Sequence, residues 1–291
     1  MTSRGRAELL LLGSTLIWGG TFVIVKLGLE DISPLLLLTI RFAIATLIFL
    51  PFVFRFLKAM TMGTFVRGSI LGILLSIGFI SQTIGMQYTT ASKSGFITGL
   101  LVVFTPIFQI LIERRVPRLG NVIGIGLVMV GLYLLTAPEG SSFTMGDALT
   151  LLCAAVFGLY IVYLDVFTKS DDFRLLAFLQ FVVTLVASGV GYTLFEVPRF
   201  QASNFLFGAL AYLAVLATVL TLVVQTRYQK DTTPTRAAVI FSLEPVFAAL
   251  LAYLVIGEQI GTLGVIGGAV VVGGLLVSEL WDRPLAGVRQ E

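Results

Sequence analysis

The sequence predicts an all-α membrane protein of ten transmembrane helices, built as two inverted five-helix repeats. Three observations predict it. Charged residues are 12% of the 291, whereas a soluble globular domain carries about 25%. Apolar runs of about 20 residues, enough to cross a hydrocarbon core of roughly 30 Å, recur along the whole chain. The chain also matches itself at a nearly constant spacing.

The ten expected spans are justified in order. Span 1, residues 7–28, follows Arg4 and Arg6, contains Trp18-Gly19 and reaches Lys26. It leads into a full-length span without a small-residue cleavage site, so no cleavable signal peptide is expected. Span 2 (34–54) encloses one charge, Arg41. Span 3 (68–87) lies in the uncharged stretch Gly68–Ala91 and holds Gln82. Span 4 (92–112) carries Gly95, Gly99 and Pro106, and ends at the charged segment Glu113–Arg118. Span 5 (119–137) has glycines at Gly120, Gly124 and Gly131. Span 6 (147–167) contains Phe157-Gly158 and Asp165. Span 7 (174–195) holds Gln180. Span 8 (204–226) belongs to the uncharged stretch Gln201–Thr226 and carries Gln225. Span 9 (236–256) contains Glu244 followed directly by Pro245. After a short hinge at Gly257–Gly261, span 10 (261–280) repeats glycine at Gly264, Gly268 and Gly274. The connections are short, and no segment is polar enough to be a soluble domain.

Composition narrows the chemistry. There is no histidine, which removes His-based catalysis and argues against a zinc site. The single cysteine, Cys153, excludes an internal disulfide, and its apolar neighbours suit a packing role. The net charge of +3 is spread over separate loops, so no nucleic-acid partner is expected. No metal or cofactor is expected.

The basic residues set an orientation. With the N-terminus inside, fifteen of the 19 Lys and Arg fall in inner segments, and only Lys93 and Arg199 in outer loops. Both termini are therefore predicted to be cytoplasmic.

The internal match is specific. Trp18-Gly19 pairs with Phe157-Gly158, and Arg41-Phe42 with Gln180-Phe181, at an offset of 139. Gln82-Thr83 pairs with Gln225-Thr226, Lys93 with Arg236, and Gly124 and Gly131 with Gly267 and Gly274, at 143. One four-residue gap reconciles the two offsets. The predicted units are residues 1–138 and 139–291. An odd number of spans per unit inverts the second copy, a mark of many secondary transporters. Glu244 matches Leu101, so it has no acidic mate in the first half.

Several segments also resemble a known family. SLEPVFAALLAYLVIGEQIG and VIGGAVVVGGLLV in the second half are similar to the second repeat of EamA-type members of the drug/metabolite transporter superfamily. In the first half, LIWGGTFVIVKLGLEDISPLLLLTIRF and YTTASKSGFITGLLVVFTPIF resemble the first-repeat patterns. The resemblance covers nearly the whole chain. It implies export or exchange of small metabolites, such as amino acids, across the bacterial inner membrane. It also implies a central cavity lined mainly by helices 1–4 and 6–9, with helices 5 and 10 to one side. The segment ERRVPR, Glu113–Arg118, departs from GEQIG at the matching hinge.

Charged and polar residues within spans are the candidate site, because such groups are costly in lipid and must face protein or water. Arg41 is either a fixed positive site for a substrate carboxylate or a structural arginine that caps carbonyls or pairs with an acid. Glu244 is a partner for a substrate amine, a carrier of a coupling proton, or a structural acid at a proline kink. Trp18 and Phe22, with Phe157 and Tyr160 on the matching helix, form aromatic stripes suited to cavity walls or to packing. Gln82, Gln225 and Gln180 add polar groups, and Tyr88 stands near an outer span end. Gly95 and Gly99 permit close approach to span 4. Lys26 and Asp165 occupy matching positions and are either gate residues or side chains that snorkel to the headgroups. Pro106 and Pro245 are candidate hinges.

The leading functional reading is a secondary transporter that exports or exchanges small amphipathic metabolites by alternating access. Proton coupling, exchange and facilitated diffusion stay open, and one chain suffices for the pathway. An intramembrane enzyme or a non-transporting receptor subunit are the alternatives. An enzyme is disfavoured because no GxSxG, histidine or pair of mid-span acids is present, and no GxxxxGK[ST] loop supplies ATP coupling.

Overall fold

The computed structural model describes residues 2–136, 143–256 and 261–281. The described chain is helical almost throughout. α1 (Ser3–Gly19) and α2 (Thr21–Asp31) make one stretch that breaks at Gly20. α3 (Pro34–Val53) starts on Pro34, whose fixed φ suits a first turn, and runs on as a 3₁₀ turn, Phe54–Ala59. α4 (Met62–Gly85) begins where the Thr61 hydroxyl accepts from the Thr64 N–H.

α5 (Ala91–Gly99) and α6 (Leu101–Glu113) are separated at Leu100. α6 stops on Arg114, which adopts a left-handed conformation with φ 56°. Gly257 stands at the matching position of the second half, outside the described residues. α7 (Leu119–Thr136) and α8 (Met145–Phe167) follow, the latter opened by a reciprocal Thr144–Asp147 capping box. α9 (Phe173–Phe195) is capped by Asp172. α10 (Asn204–Ala211), a π-helix over Tyr212–Leu220 and α11 (Thr221–Tyr228) form one long stretch. α12 (Pro234–Phe241), α13 (Glu244–Ile256) and α14 (Thr262–Leu280) complete the described chain.

Eight of these stretches are long and apolar enough to cross a membrane: Ser3–Asp31, Pro34–Ala59, Met62–Gly85, Ala91–Glu113, Met145–Phe167, Phe173–Phe195, Asn204–Asp231 and Pro234–Leu251. The remaining two expected spans correspond to the shorter apolar helices Leu119–Leu135 and Thr262–Ser278. The hinge at Gly257–Gly261 lies outside the described residues except for Gly261.

Glycine packing holds the shorter pair together. A Cβ on Gly131 would sit 2.7 Å from the Gly267 carbonyl oxygen, and one on Gly124 would sit 2.7 Å from that of Gly274. These four glycines let the α7 and α14 backbones touch, the role expected for small residues between helices in lipid. Two further close approaches fall at corresponding positions. Gly19 meets Phe247 and Ala248 on α13, and Gly158 meets Phe104 and Thr105 on α6.

One expectation needs correction. Pro245 does not kink a continuous helix. The chain already breaks at Ser242–Leu243, where Leu243 N–H donates to the Ile240 carbonyl, and Pro245 stands in the first turn of α13. At that position a missing N–H removes no helical bond, which is why proline is tolerated there. The α5–α6 break at Leu100 lies 143 residues before Leu243. Pro106, by contrast, is inside α6.

Candidate functional site

A cavity lies in the middle of the bundle. Its walls come from Trp18 of α1, Thr21 of α2 and Arg41 of α3. Leu75, Phe79 and Gln82 of α4, Thr98 of α5 and Leu101 of α6 add a second side. Phe157, Tyr160 and Ile161 of α8, Leu222 and Gln225 of α11, Phe241 of α12 and Glu244 of α13 close the ring. No lining residue belongs to α7, α9 or α14.

Arg41 is almost fully buried, at 2% exposure. Its Nε donates to Thr218 Oγ1 at 2.6 Å, and its Nη2 to the Ala217 carbonyl at 3.1 Å. The guanidinium also lies 4.5 Å from the Phe79 ring centroid, a cation–π distance. Its Nη1 makes no hydrogen bond to a described residue, and no described carboxylate pairs with it. Capping of backbone carbonyls, the structural role weighed for Arg41, is therefore present, and one donor nitrogen remains beside the cavity.

The π-helix explains how that anchor arises. Nine residues wound to i+5 bonding loosen the carbonyl ladder, and π-segments are frequent at functional sites. The Ala217 carbonyl accepts from both Arg41 and the Trp18 indole Nε1, the latter at 3.1 Å. The Thr218 hydroxyl, which takes the Arg41 Nε, donates to the Leu213 carbonyl at 2.7 Å. Trp18 then meets Phe241 edge to face, with centroids 5.4 Å apart.

Glu244 sits in the first turn of α13, where the positive end of a helix favours an acid. It makes no hydrogen bond or ion pair with a described residue. Gln82 Nε2 donates to Thr98 Oγ1 at 3.0 Å, and Gln225 Nε2 to Gln229 Oε1 at 2.9 Å. Tyr160 donates its hydroxyl to Gln180 Oε1 at 2.6 Å.

The structure thus brings together seven sequence-predicted residues: Trp18, Arg41, Gln82, Phe157, Tyr160, Gln225 and Glu244. It places others elsewhere. Gln180 is fully buried behind Tyr160 and does not line the cavity. Phe22 is buried and packs toward Gly95, while Gly99 faces Leu132 and Pro245. Tyr88 is 58% exposed, away from the cavity. The Lys26 Nζ donates to the Met86 and Thr89 carbonyls at 2.6 and 2.8 Å, just past the end of α4. Asp165 is buried and pairs with Lys169 at 2.5 Å. Cys153 is buried, as its neighbours suggested.

Sequence reasoning missed Phe79, Leu75, Thr98, Leu101, Leu222 and Phe241 as wall residues. A signal was available. Phe79 precedes Gln82 by three residues, Leu222 precedes Gln225 by three, and Phe241 precedes Glu244 by three. That spacing places the first two pairs each on one helix face, while Phe241 and Glu244 flank the break between α12 and α13.

Membrane-length helices around an internal cavity with an arginine and a glutamate on its walls define a multi-pass integral membrane protein. The chain belongs to the EamA-like transporter family, whose profile matches residues 5–137 and again residues 144–280. It is a membrane transporter. An uncharacterized transporter of Archaeoglobus fulgidus is 37% identical over 252 residues, covering 87% of this chain and 79% of that protein. The uncharacterized inner membrane transporter YedA of Escherichia coli K12 is 26% identical over 275 residues, covering 88% and 87%. A solved crystal structure matches with a TM-score of 0.81 at 17% identity, covering 96% of this chain and 98% of that one, which shows a shared fold.

Proposed function

We propose that this protein exports or exchanges small amphipathic metabolites, amino acids or related compounds, by alternating access around the central cavity. One observation carries the substrate class. Arg41 and Glu244 line the same cavity without an ion pair between them, and Trp18, Phe79, Phe157, Tyr160 and Phe241 supply apolar wall. A zwitterion satisfies both charges at once. Arg41 Nη1 donates to a carboxylate, Glu244 accepts from an ammonium, and the rings take the side chain. Gln82, Thr98 and Gln225 bond the remaining polar atoms.

The architecture we infer is ten spans in two inverted five-helix repeats, 1–138 and 139–291, with both termini cytoplasmic in a bacterial inner membrane. The matching breaks at Leu100 and Leu243, and the matching close approaches at Gly19 and Gly158, support this reading. Counterflow in proteoliposomes tests the function. A panel of amino acids and their amide and deaminated analogues should show exchange only for compounds bearing both a carboxylate and an amine. Exchange indifferent to both groups, or absent across the panel, overturns the proposal.

A further inference from the structure

Two ion-pair clusters outside the cavity match at their acid, their base and one threonine, while Glu8 also pairs with Arg4 at 2.9 Å, a contact with no described counterpart in the other cluster. In the first, Asp147 at the start of α8 binds Lys93 Nζ at 2.6 Å and accepts from the Thr89 hydroxyl at 2.7 Å. In the second, Glu8 of α1 binds Arg236 Nη1 at 3.2 Å and accepts from the Thr232 hydroxyl at 2.9 Å. Asp147 lies 139 residues after Glu8, while Thr232 and Arg236 lie 143 after Thr89 and Lys93. The caps correspond too. Thr90 accepts from the Lys93 N–H and Thr233 from the Arg236 N–H.

The clusters stand at opposite ends of the bundle. Lys26, near the end of α2, donates to the Thr89 carbonyl and so marks the first cluster. Glu8 and Lys26 are 18 residues apart, about 27 Å at the helical rise of 1.5 Å per residue. Trp18, on the cavity wall, lies between them.

Each cluster joins two helices that also line the cavity: α5 to α8 at one end, and α12 to α1 at the other. The cation in each case sits on a short helix. α5 has 9 residues and ends at the Leu100 break, and α12 has 8 and ends at the Ser242–Leu243 break. Both breaks adjoin cavity residues, Leu101 in one case and Phe241 and Glu244 in the other.

We propose that α5 and α12 are the two gates of the transport path, each hinged at its break and latched by its ion pair. The Lys93–Asp147 pair holds one end shut, and the Arg236–Glu8 pair holds the other. This rests on the alternating-access reading above. The acid of the first latch is fully buried and the arginine of the second is 5% exposed, so each pair is shielded from solvent. Removing the acid of a shielded pair weakens the compensation of the buried cation, which favours the arrangement in which water reaches it. Both pairs are formed in this structure, so alternation means that one latch opens from this doubly latched arrangement while the other stays closed. The latches are unequal: Arg236 also donates to the Ser278 carbonyl at 3.2 Å, which ties the second gate to α14.

Cysteine accessibility tests the proposal. Leu222→Cys, in a Cys153→Ser background, serves as the reporter on the cavity wall. The full chain is studied in sealed right-side-out and inside-out vesicles with a membrane-impermeant maleimide. Asp147→Asn should raise labelling from the face of the α8 N-terminus relative to the opposite face by about tenfold, which corresponds to about 1.4 kcal/mol. Glu8→Gln should shift the ratio the other way. Lys93→Glu combined with Asp147→Lys should return it toward the parent value. Thr89→Val and Thr232→Val each remove a single hydrogen bond and should give the same signs at smaller size, so a carboxylate variant that fails to fold does not end the test. Unchanged ratios, shifts of the same sign, or a shift from only one latch overturn the proposal. Labelling requires no substrate, so its outcome is separate from that of the counterflow panel.

Discussion

Arg41 uses two of its three nitrogens on α3-external acceptors, Thr218 Oγ1 and the Ala217 carbonyl, and offers the third to the cavity. A permanently charged, fork-shaped donor held this way is preorganised for a carboxylate. Arg41→Gln keeps a donor but loses the charge. It should raise the transport KM about tenfold or more, the loss expected for a charged hydrogen bond, and lower the melting temperature by only a few degrees. An unchanged KM with a large drop in stability would assign Arg41 to architecture alone. Glu244 has no described partner to lose, so Glu244→Gln should fold like the parent. If Glu244 carries a coupling proton, that variant is fixed in the protonated-like form, and the transport rate should lose its dependence on internal pH. A pH–rate profile identical to the parent's refutes the coupling role and leaves amine binding to be read from the panel of analogues.

At the scale of elements, the broken helices are the expected moving parts. Pro245 has no N–H to donate to the Phe241 carbonyl, so it disfavours one helix running through the break between α12 and α13. Pro245→Ala is expected to slow turnover more than it weakens binding. Transport at the parent rate would show that the break does not need the proline. The α7–α14 contact makes a different prediction. A Cβ on Gly267 would collide with the Leu135 nitrogen and lie 2.6 Å from the Gly131 carbonyl oxygen. Both are backbone atoms that cannot step aside, so Gly267→Ala should destabilise the protein by about 1–3 kcal/mol, measured by thermal unfolding in detergent. Gly126, which meets nothing within 4 Å, is the control, and Gly126→Ala should be neutral.

For the whole molecule, the basic residues predict which face is inside. Ser170, between α8 and α9, should react as cysteine only with reagent on the cytoplasmic side, in a Cys153→Ser background. Ser142, outside the described residues, should react as cysteine from the outer side. Labelling of Ser170→Cys, but not of Ser142→Cys, in intact cells by an impermeant reagent would reverse the topology. The two ion-pair latches add a further consequence at this scale. They place equivalent contacts at both ends of one bundle, so the two end states of the cycle are expected to be related by the same repeat that relates the halves of the chain.

Much of this was legible in the sequence because lipid imposes a strong constraint. Every span must be helical and apolar, so hydropathy locates the helices, and each polar residue that remains within a span stands out. Arg41, Gln82, Gln225 and Glu244 were found for that reason, and all four line the cavity. The four glycines of the α7–α14 contact stood out because their spacing repeats in both halves, but which glycine meets which was decided by packing. What only the tertiary structure decided was how those residues meet. Gln180, a polar residue found by the same logic, is turned away from the cavity to hold the Tyr160 hydroxyl. Lys26 caps the end of another helix, and Phe79 enters the site beneath the Arg41 guanidinium. Composition and spacing describe each helix one at a time. The rotation of a helix about its axis, a local π-winding or a break at Leu243 is set by neighbours that come from the other half of the chain. The latches show the same division: their residues and offsets are written in the sequence, but only packing brings Glu8 to Arg236 across 228 positions.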